Sequence, residues 1–237
     1  MNRVLASTIW QRELIEFLQR PRTLAIKLIF PLLVALPLVF STAPAFYAAM
    51  ALTMLVAIVG ALGSGAVMSR ERAAGVTTRY RLLPRRAAKV VLERLSANAG
   101  IDFLQMLPVM TVIGIRHPRA AIWWPALAVG VAAVLMAGNV IGAWASTVSD
   151  SPGEVMLMVL LPLLPALFLS GVFVPLQPPL EQFSDVLPFT YLHDALLGAL
   201  GGAARLTPLT DLAGAAAFLG LALAAGALLS RRILESD

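Results

Sequence analysis

Cysteine is absent from all 237 residues, which excludes disulfides, thiolate metal sites and cysteine nucleophiles. Histidine occurs only at His117 and His193, outside any HExxH pair, and both are expected in solvated or interfacial positions, with no metal bound. Neither GxSxG nor GxxxxGK[ST] occurs, so the chain lacks a serine-hydrolase elbow and a phosphate-cradling loop. Asp102 has no second aspartate at similar depth, which leaves no intramembrane aspartyl dyad. Charge is scarce as well: Asp, Glu, Lys and Arg make up 13% of the chain and hydrophobic residues 59%, far from the balance of a soluble domain. These absences exclude most enzyme classes and point to a membrane protein with no catalytic residue, metal or cofactor of its own.

What is present is a set of long apolar runs. Stretches without any charge cover 28–69, 120–149, 155–180 and 212–230. Each is long enough to cross a hydrocarbon core, which takes about 20 residues of helix. The first would measure about 63 Å as one helix, about twice the core, so "STAPAF" at 41–46 is expected to be the turn of a hairpin. Residues 95–115 carry Asp102 as their only charge and add another span. The pattern predicts an all-α protein of six transmembrane helices, forming a single domain over 1–237. Residues 1–21 would be an interfacial helix, 22–230 the bundle and 231–237 a cytoplasmic tail.

The net charge of +5 alternates with the spans instead of lining one soluble face, which argues against nucleic acid as a partner. Five of the 18 Lys and Arg lie in 1–27, eight in 69–94 and two at Arg231 and Arg232. Only Arg116, Arg119 and Arg205 fall on the other side of a six-span arrangement. The positive-inside rule then places both termini in the cytoplasm of a cell-membrane protein. Residues 1–20 have no long apolar core, so the first span is expected to stay as an anchor.

Ahead of that span, Trp10, Leu14, Phe17 and Leu18 recur at helical spacing opposite Arg12, Glu13, Glu16, Gln19 and Arg20, the pattern of an amphipathic interfacial helix ended by Pro21. It would anchor the first span, contact a partner, or both. Pro31 and Pro37 are expected to bend the first span, and Pro162 and Pro165 to interrupt the fifth. Gly60, Gly63 and Gly65 in the second span, and Gly214, Gly220 and Gly226 in the last, permit close helix packing. Asn98, Asp102 and Gln105 share one face of the third span, and Asn139 and Ser146 one face of the fourth. Polar groups at that depth turn inward, either lining a pathway or bonding between helices. Asp102 would attract a cationic substrate or be neutralised by a partner such as Arg94, two turns away.

Residues 170–202, "SGVFVPLQPPLEQFSDVLPFTYLHDALLGALGG", are too polar for a straight span and too apolar for a solvated loop. Short helices dipping partway into the outer leaflet reconcile the two. Between the second and third spans, "SRERAAGVTTRYRLLPRR" carries dense positive charge that topology and anionic lipid explain by themselves. The residue order adds a short interfacial helix, a break at Pro84 and "RRAAKVVLERL" as a helix running into the third span.

In this order and topology the chain resembles the type-2 ATP-binding-cassette exporter permeases. Arg70, Glu71, Arg72, Gly75, Leu82, Leu83 and Pro84 match the family's loop motif between the second and third spans. Gly171, Pro175, Leu187, Pro188, Thr190, Tyr191 and Ala195 match its reentrant outer segment between the fifth and sixth. Two positions depart. Glu93 and Arg94 stand where the family often has Gly-Lys, and Leu196 and Leu197 where an arginine often follows the tyrosine segment.

The resemblance implies a cytoplasmic coupling helix docked on a separately encoded ATPase subunit, which would hold ATP and Mg. It also implies a second permease chain, identical or related, with the transport pathway between the two. Arg70, Glu71, Arg72, Gly75, Leu82, Leu83 and Pro84, with Glu13 and Glu16 of the first helix, would carry the coupling. Asn98, Asp102, Gln105, Asn139 and Ser146 are the candidate pathway residues. Few aromatics lie in the spans, which favours a drug-like or lipid-like amphipathic substrate over a stacked sugar. A carrier or channel driven by an ion gradient is the alternative, and would need an ionisable relay of which Asp102 is the one candidate.

Overall fold

The computed structural model describes residues 9–19, 21–81 and 85–235. Among these there is no strand, and ten α-helices and one 3₁₀ turn follow in order. They are α1 (Ile9–Gln19), α2 (Pro21–Phe40), α3 (Ala45–Ala73), α4 (Val76–Arg81), α5 (Ala87–Arg116), the 3₁₀ turn Pro118–Trp123, α6 (Trp124–Thr147), α7 (Pro152–Leu169), α8 (Leu180–Ser184), α9 (Pro188–Ala199) and α10 (Pro208–Glu235). Four described helices are long and apolar enough to cross a membrane: Ala45–Ala73, Ala87–Arg116, Ala121–Thr147 and Pro208–Leu234. The protein is therefore multi-pass. Leu24–Phe40 passes the same test only together with Ile9–Gln19, from which it is bent by 81°, and Gly153–Leu169 is apolar but shorter.

Turn chemistry sets the element ends. Pro21 opens α2, where a missing N–H costs no helical bond. Ser41 donates to the Leu38 carbonyl (3.0 Å) and accepts from the Ala43 N–H (3.3 Å), forming the hairpin turn that the apolar run required. Ser151 caps α7 by accepting from the Glu154 N–H at 3.2 Å. Pro31 and Pro37 lie inside α2, and Pro162 and Pro165 inside α7, which runs through both where an interruption was expected. In an apolar segment the remaining backbone bonds have no competing water partner, so a helix survives the loss of single donors.

The loop motif is placed differently from the sequence reading. Arg70, Glu71 and Arg72 are not on a separate interfacial helix but on the last turns of α3. Nothing before Gly75 breaks that helix, and 29 residues span about 44 Å, well beyond a hydrocarbon core of about 30 Å. Gly75 then ends it at φ +68, with its N–H bonded to the Arg72 carbonyl at 2.9 Å. This is a left-handed cap that glycine adopts without a Cβ penalty. The short helix of the loop is α4, and Leu82, Leu83 and Pro84 lie outside the described residues.

Close packing of α3 on α6 organises the bundle. A Cβ on Gly60 would meet the Leu135 carbonyl at 3.0 Å, one on Gly138 the Ala61 nitrogen at 2.9 Å, and one on Gly142 the Gly65 nitrogen at 2.7 Å. Gly63 takes no part in that contact, and Gly220 in α10 has nothing within 4 Å. Gly214 lies under the Tyr191 ring and Gly226 against Leu95. In the apolar window of α6, 72% of residues are buried, against 17% in that of α10, so α6 is the axis and α10 lies at the periphery.

Candidate functional site

The charged end of α3 meets α1 and α5 around one guanidinium. Arg94 stands two turns into α5 with its side chain 3% exposed. Its Nη2 is 2.6 Å from Glu71 Oε1 and its Nε donates to Glu71 Oε2 at 3.2 Å. Nη1 reaches Glu13 Oε2 of α1 at 2.8 Å and Asn98 Oδ1 of α5 at 3.1 Å. A planar fork offers donors in these directions at once, which a lysine cannot do. Three segments distant in sequence are thereby tied together, and Glu13 faces protein where the amphipathic pattern had set it toward water.

The neighbouring contacts hold the same junction. Trp10 Nε1 donates to Ser96 Oγ at 3.1 Å, and its ring fills the space above Gly100 on α5. Arg72 donates to the carbonyls of Ser146 (2.5 Å) and Ile233 (3.5 Å), linking α3 to the ends of α6 and α10. Arg12 donates to the Tyr80 hydroxyl of α4 at 3.2 Å. Burial, and then the Glu71 charge, push the Tyr80 phenol above its ordinary range. Tyr80 therefore stays a neutral hydrogen-bonding group. Arg70 and Gly75 are exposed beside the junction, and Glu16 is on α1 with its side chain outside the described set.

The polar residues of the spans separate into two groups. Asn98 belongs to the Arg94 junction. Deeper in, Gln105 donates to Asp102 Oδ1 at 2.9 Å, Asn139 of α6 bears on the same carboxylate, and Lys27 Nζ of α2 lies 3.9 Å from it. Lys27, not Arg94, is the cation facing Asp102, because both carboxylates of the junction already occupy Arg94. Ser146 turns its hydroxyl to the Ala143 carbonyl of its own helix at 2.7 Å, and Asn139 its amide to Leu135 at 2.8 Å.

At the opposite end, α8 and α9 fold over a cavity of about 480 Å³ lined in part by Gly171, Pro175, His193, Asp194 and Arg205. Gly171 turns the chain after α7 at φ +72, and Pro188 opens α9. Thr190 donates to the Ser184 carbonyl at 2.6 Å, and Tyr191 to the Asp185 carbonyl at 2.8 Å. Arg205 bridges Glu181 at 3.2 Å and also Asp185, while Asp194 accepts the N–H groups of Arg205 and Leu206, both at 2.7 Å. His193 is buried at 7% exposure instead of solvated, edge-on to Phe46 with ring centroids 5.2 Å apart. Burial pushes its imidazole down to about 4 against the opposing charge of Asp194.

A helical junction that joins the end of the second long helix, the first helix and a loop motif is set within a wider sequence match. The model of the ABC-2 type transporter family matches residues 5–200. The chain belongs to that family. No curated protein and no solved structure matches it. As an ABC-2 permease component it is part of a membrane transport system and is not itself catalytic.

Within this ABC-2 permease the motif residues Glu71 and Arg72 are both engaged in the junction, whereas Arg94 and Lys27 are the contributors that residue patterns missed. Arg94 carried a signal, being the position where the resemblance failed at "ER". Lys27 carried a fainter one, as the last charge before a run of 42 uncharged residues at 28–69. Leu196 and Leu197 lie on α9, and Arg205, from the loop before α10, bridges Glu181 of α8 at 3.2 Å.

Proposed function

We propose that this chain is the permease subunit of an ATP-driven exporter, working as a dimer with an identical or related permease and served by a separate ATPase subunit that holds ATP and Mg. Residues 1–237 form one transmembrane unit of six spans, with α2 and α7 as the first and fifth and α8 and α9 as reentrant outer helices. The termini and the 69–94 loop lie in the cytoplasm of the cell membrane, on the side that fifteen of the eighteen basic residues favour. The observation that carries the reading is the Arg94 junction. Any push on α4 or on the Gly75 turn reaches Glu71, and through Arg94 it reaches α5 and α1 together.

A buried guanidinium with two carboxylates is suited to this role, because separating either acid leaves an unpaired buried charge and so resists partial motion. The three elements would move as one body when the ATPase closes. The exported molecule is an amphipath, drug-like or lipid-like, in keeping with an interior poor in aromatics and charge. Asp102, Gln105 and Asn139 are the pathway candidates, with Lys27 added to them.

Affinity purification of the tagged chain from its native membrane tests the assignment. A stoichiometric P-loop ATPase should co-purify, and both its hydrolysis and transport should fall in Glu71→Ala and Gly75→Pro at unchanged membrane insertion. If no ATPase accompanies the chain under conditions that preserve membrane complexes, the reading fails and a gradient-driven carrier takes its place.

A further inference from the structure

Beside the Arg94 junction a cleft of about 540 Å³ opens between α1, α2, α3 and α5. Its volume is in the usual range of ligand pockets, about 300–1,000 Å³. The floor is apolar, made by Phe17, Val67 and Ile101 with Lys27 beside Phe17 and Asp102, and the rim holds Arg12 and Arg70. The lining carries four cations, with Arg94 the fourth, against three acids, Glu13, Glu71 and Asp102.

How these charges are paired points to an occupant. Arg94 is compensated twice, by Glu13 and Glu71. Asp102 is hydrogen-bonded by Gln105, and Lys27 stands at 3.9 Å from it without a hydrogen bond, 40% exposed, with its ammonium 5.8 Å from the centre of the Phe17 ring. Arg12 has a neutral phenol as its hydrogen-bond partner. Arg70 has neither ion pair nor hydrogen bond among the described residues. Arg12 and Arg70 therefore stand with unused donors at the mouth of a cleft whose acids are already engaged, and Lys27 stands deeper, beside Asp102.

Depth adds the second half of the argument. Asp102 is eight residues along α5 from Arg94, about 12 Å deeper. The headgroup layer on each side of a bilayer is about 5–8 Å thick, so in the orientation proposed above, with the rim at headgroup level, the floor would lie among acyl chains. A soluble anion would leave the floor unfilled, and a neutral lipid would leave the cations unanswered.

We propose that this cleft binds one anionic phospholipid of the surrounding leaflet, its phosphate against Arg12 and Arg70 and the start of its chains on Phe17, Val67 and Ile101. The lipid would wedge between the first helix and the coupling motif, so the lipid composition would bias the junction. That the leaflet is the cytoplasmic one rests on the orientation proposed above. Binding by the purified chain requires no ATPase, so failure of this site and failure of the coupling assignment can be told apart.

The test is native mass spectrometry of the tagged full chain released from vesicles of equal parts phosphatidylglycerol and phosphatidylcholine. The expected result is preferential retention of phosphatidylglycerol, falling about fivefold for each of Arg12→Gln and Arg70→Gln and retained in Arg70→Lys. Size-exclusion profiles matching the parent chain establish that the variants fold. Equal retention of both lipids, or undiminished retention when Arg12→Gln and Arg70→Gln are combined, overturns the proposal. The same loss in Lys89→Gln or Arg231→Gln, both outside the cleft, would mean general surface charge and would overturn it too. Inorganic phosphate separates the two sources of the anion: retention unchanged in its presence supports a lipid, and displacement by it shows a free-anion site and refutes the lipid assignment.

Discussion

Arg94 of α5 holds Glu71 of α3 by two contacts, 2.6 Å from Nη2 to Oε1 and 3.2 Å from Nε to Oε2, while a third donor holds Glu13 of α1. Neither acid has another cation at comparable distance among the described residues, so the junction depends on one side chain.

Replacing it should show that dependence. Arg94→Ala leaves two carboxylates facing each other in a half-buried site and should lower stability by about 3–5 kcal/mol, the usual cost of breaking a buried pair. The triple change Arg94→Met, Glu13→Gln, Glu71→Gln should recover most of it, since no charge is then stranded. Thermal unfolding of the detergent-solubilised chain checks both. A triple variant no more stable than Arg94→Ala would mean that packing around the guanidinium, not charge, sets the cost.

Gly75 sits at φ +68 with open space where a Cβ would be, so any penalty on substitution is a backbone penalty. Gly75→Ala should cost about 1–2 kcal/mol and Gly75→Asn less, because asparagine visits the left-handed region. Gly75→Pro cannot adopt that angle and should unseat α4. Transport assays at matched expression are expected to follow the order Gly, Asn, Ala, Pro.

The α3–α6 contact offers a paired comparison. A Cβ on Gly142 would lie 2.7 Å from the Gly65 nitrogen, so Gly142→Ala must part the two helices and should destabilise by about 1–3 kcal/mol. Gly220→Ala meets nothing within 4 Å and should stay within about 0.5 kcal/mol of the parent. Equal melting temperatures for the two variants would refute the close approach.

His193 makes stability depend on pH. Its folded value of about 4 lies below the ordinary 6.5, so the unfolded chain binds the extra proton between the two. Stability from this group is complete above about pH 6.5, declines as pH falls, and levels off near 4, a loss of about 3 kcal/mol at most. His193→Phe keeps the ring contact with Phe46 and should flatten that part of the profile. Melting temperatures recorded from pH 7.5 to 4 in both proteins check it.

Much of this architecture follows from one-dimensional patterns. Charge-free runs, the "STAPAF" turn and the alternation of basic segments require a multi-pass helical protein, because a bilayer admits no unpaired backbone and charge is expensive within it. The glycines at 60 and 65 foretold a close helix contact, whereas the "RER" triplet, read as part of a separate interfacial helix, proved to be the last turns of α3. Rotation and register were not legible in the same way. That Arg94 meets Glu71 and Glu13, 23 and 81 residues away, that Lys27 and not Arg94 faces Asp102, and that Ser146 turns to its own helix all depend on how helices are turned against one another. Periodicity states which residues share a face, but only packing, through contacts such as Gly142 on Gly65, decides what that face meets.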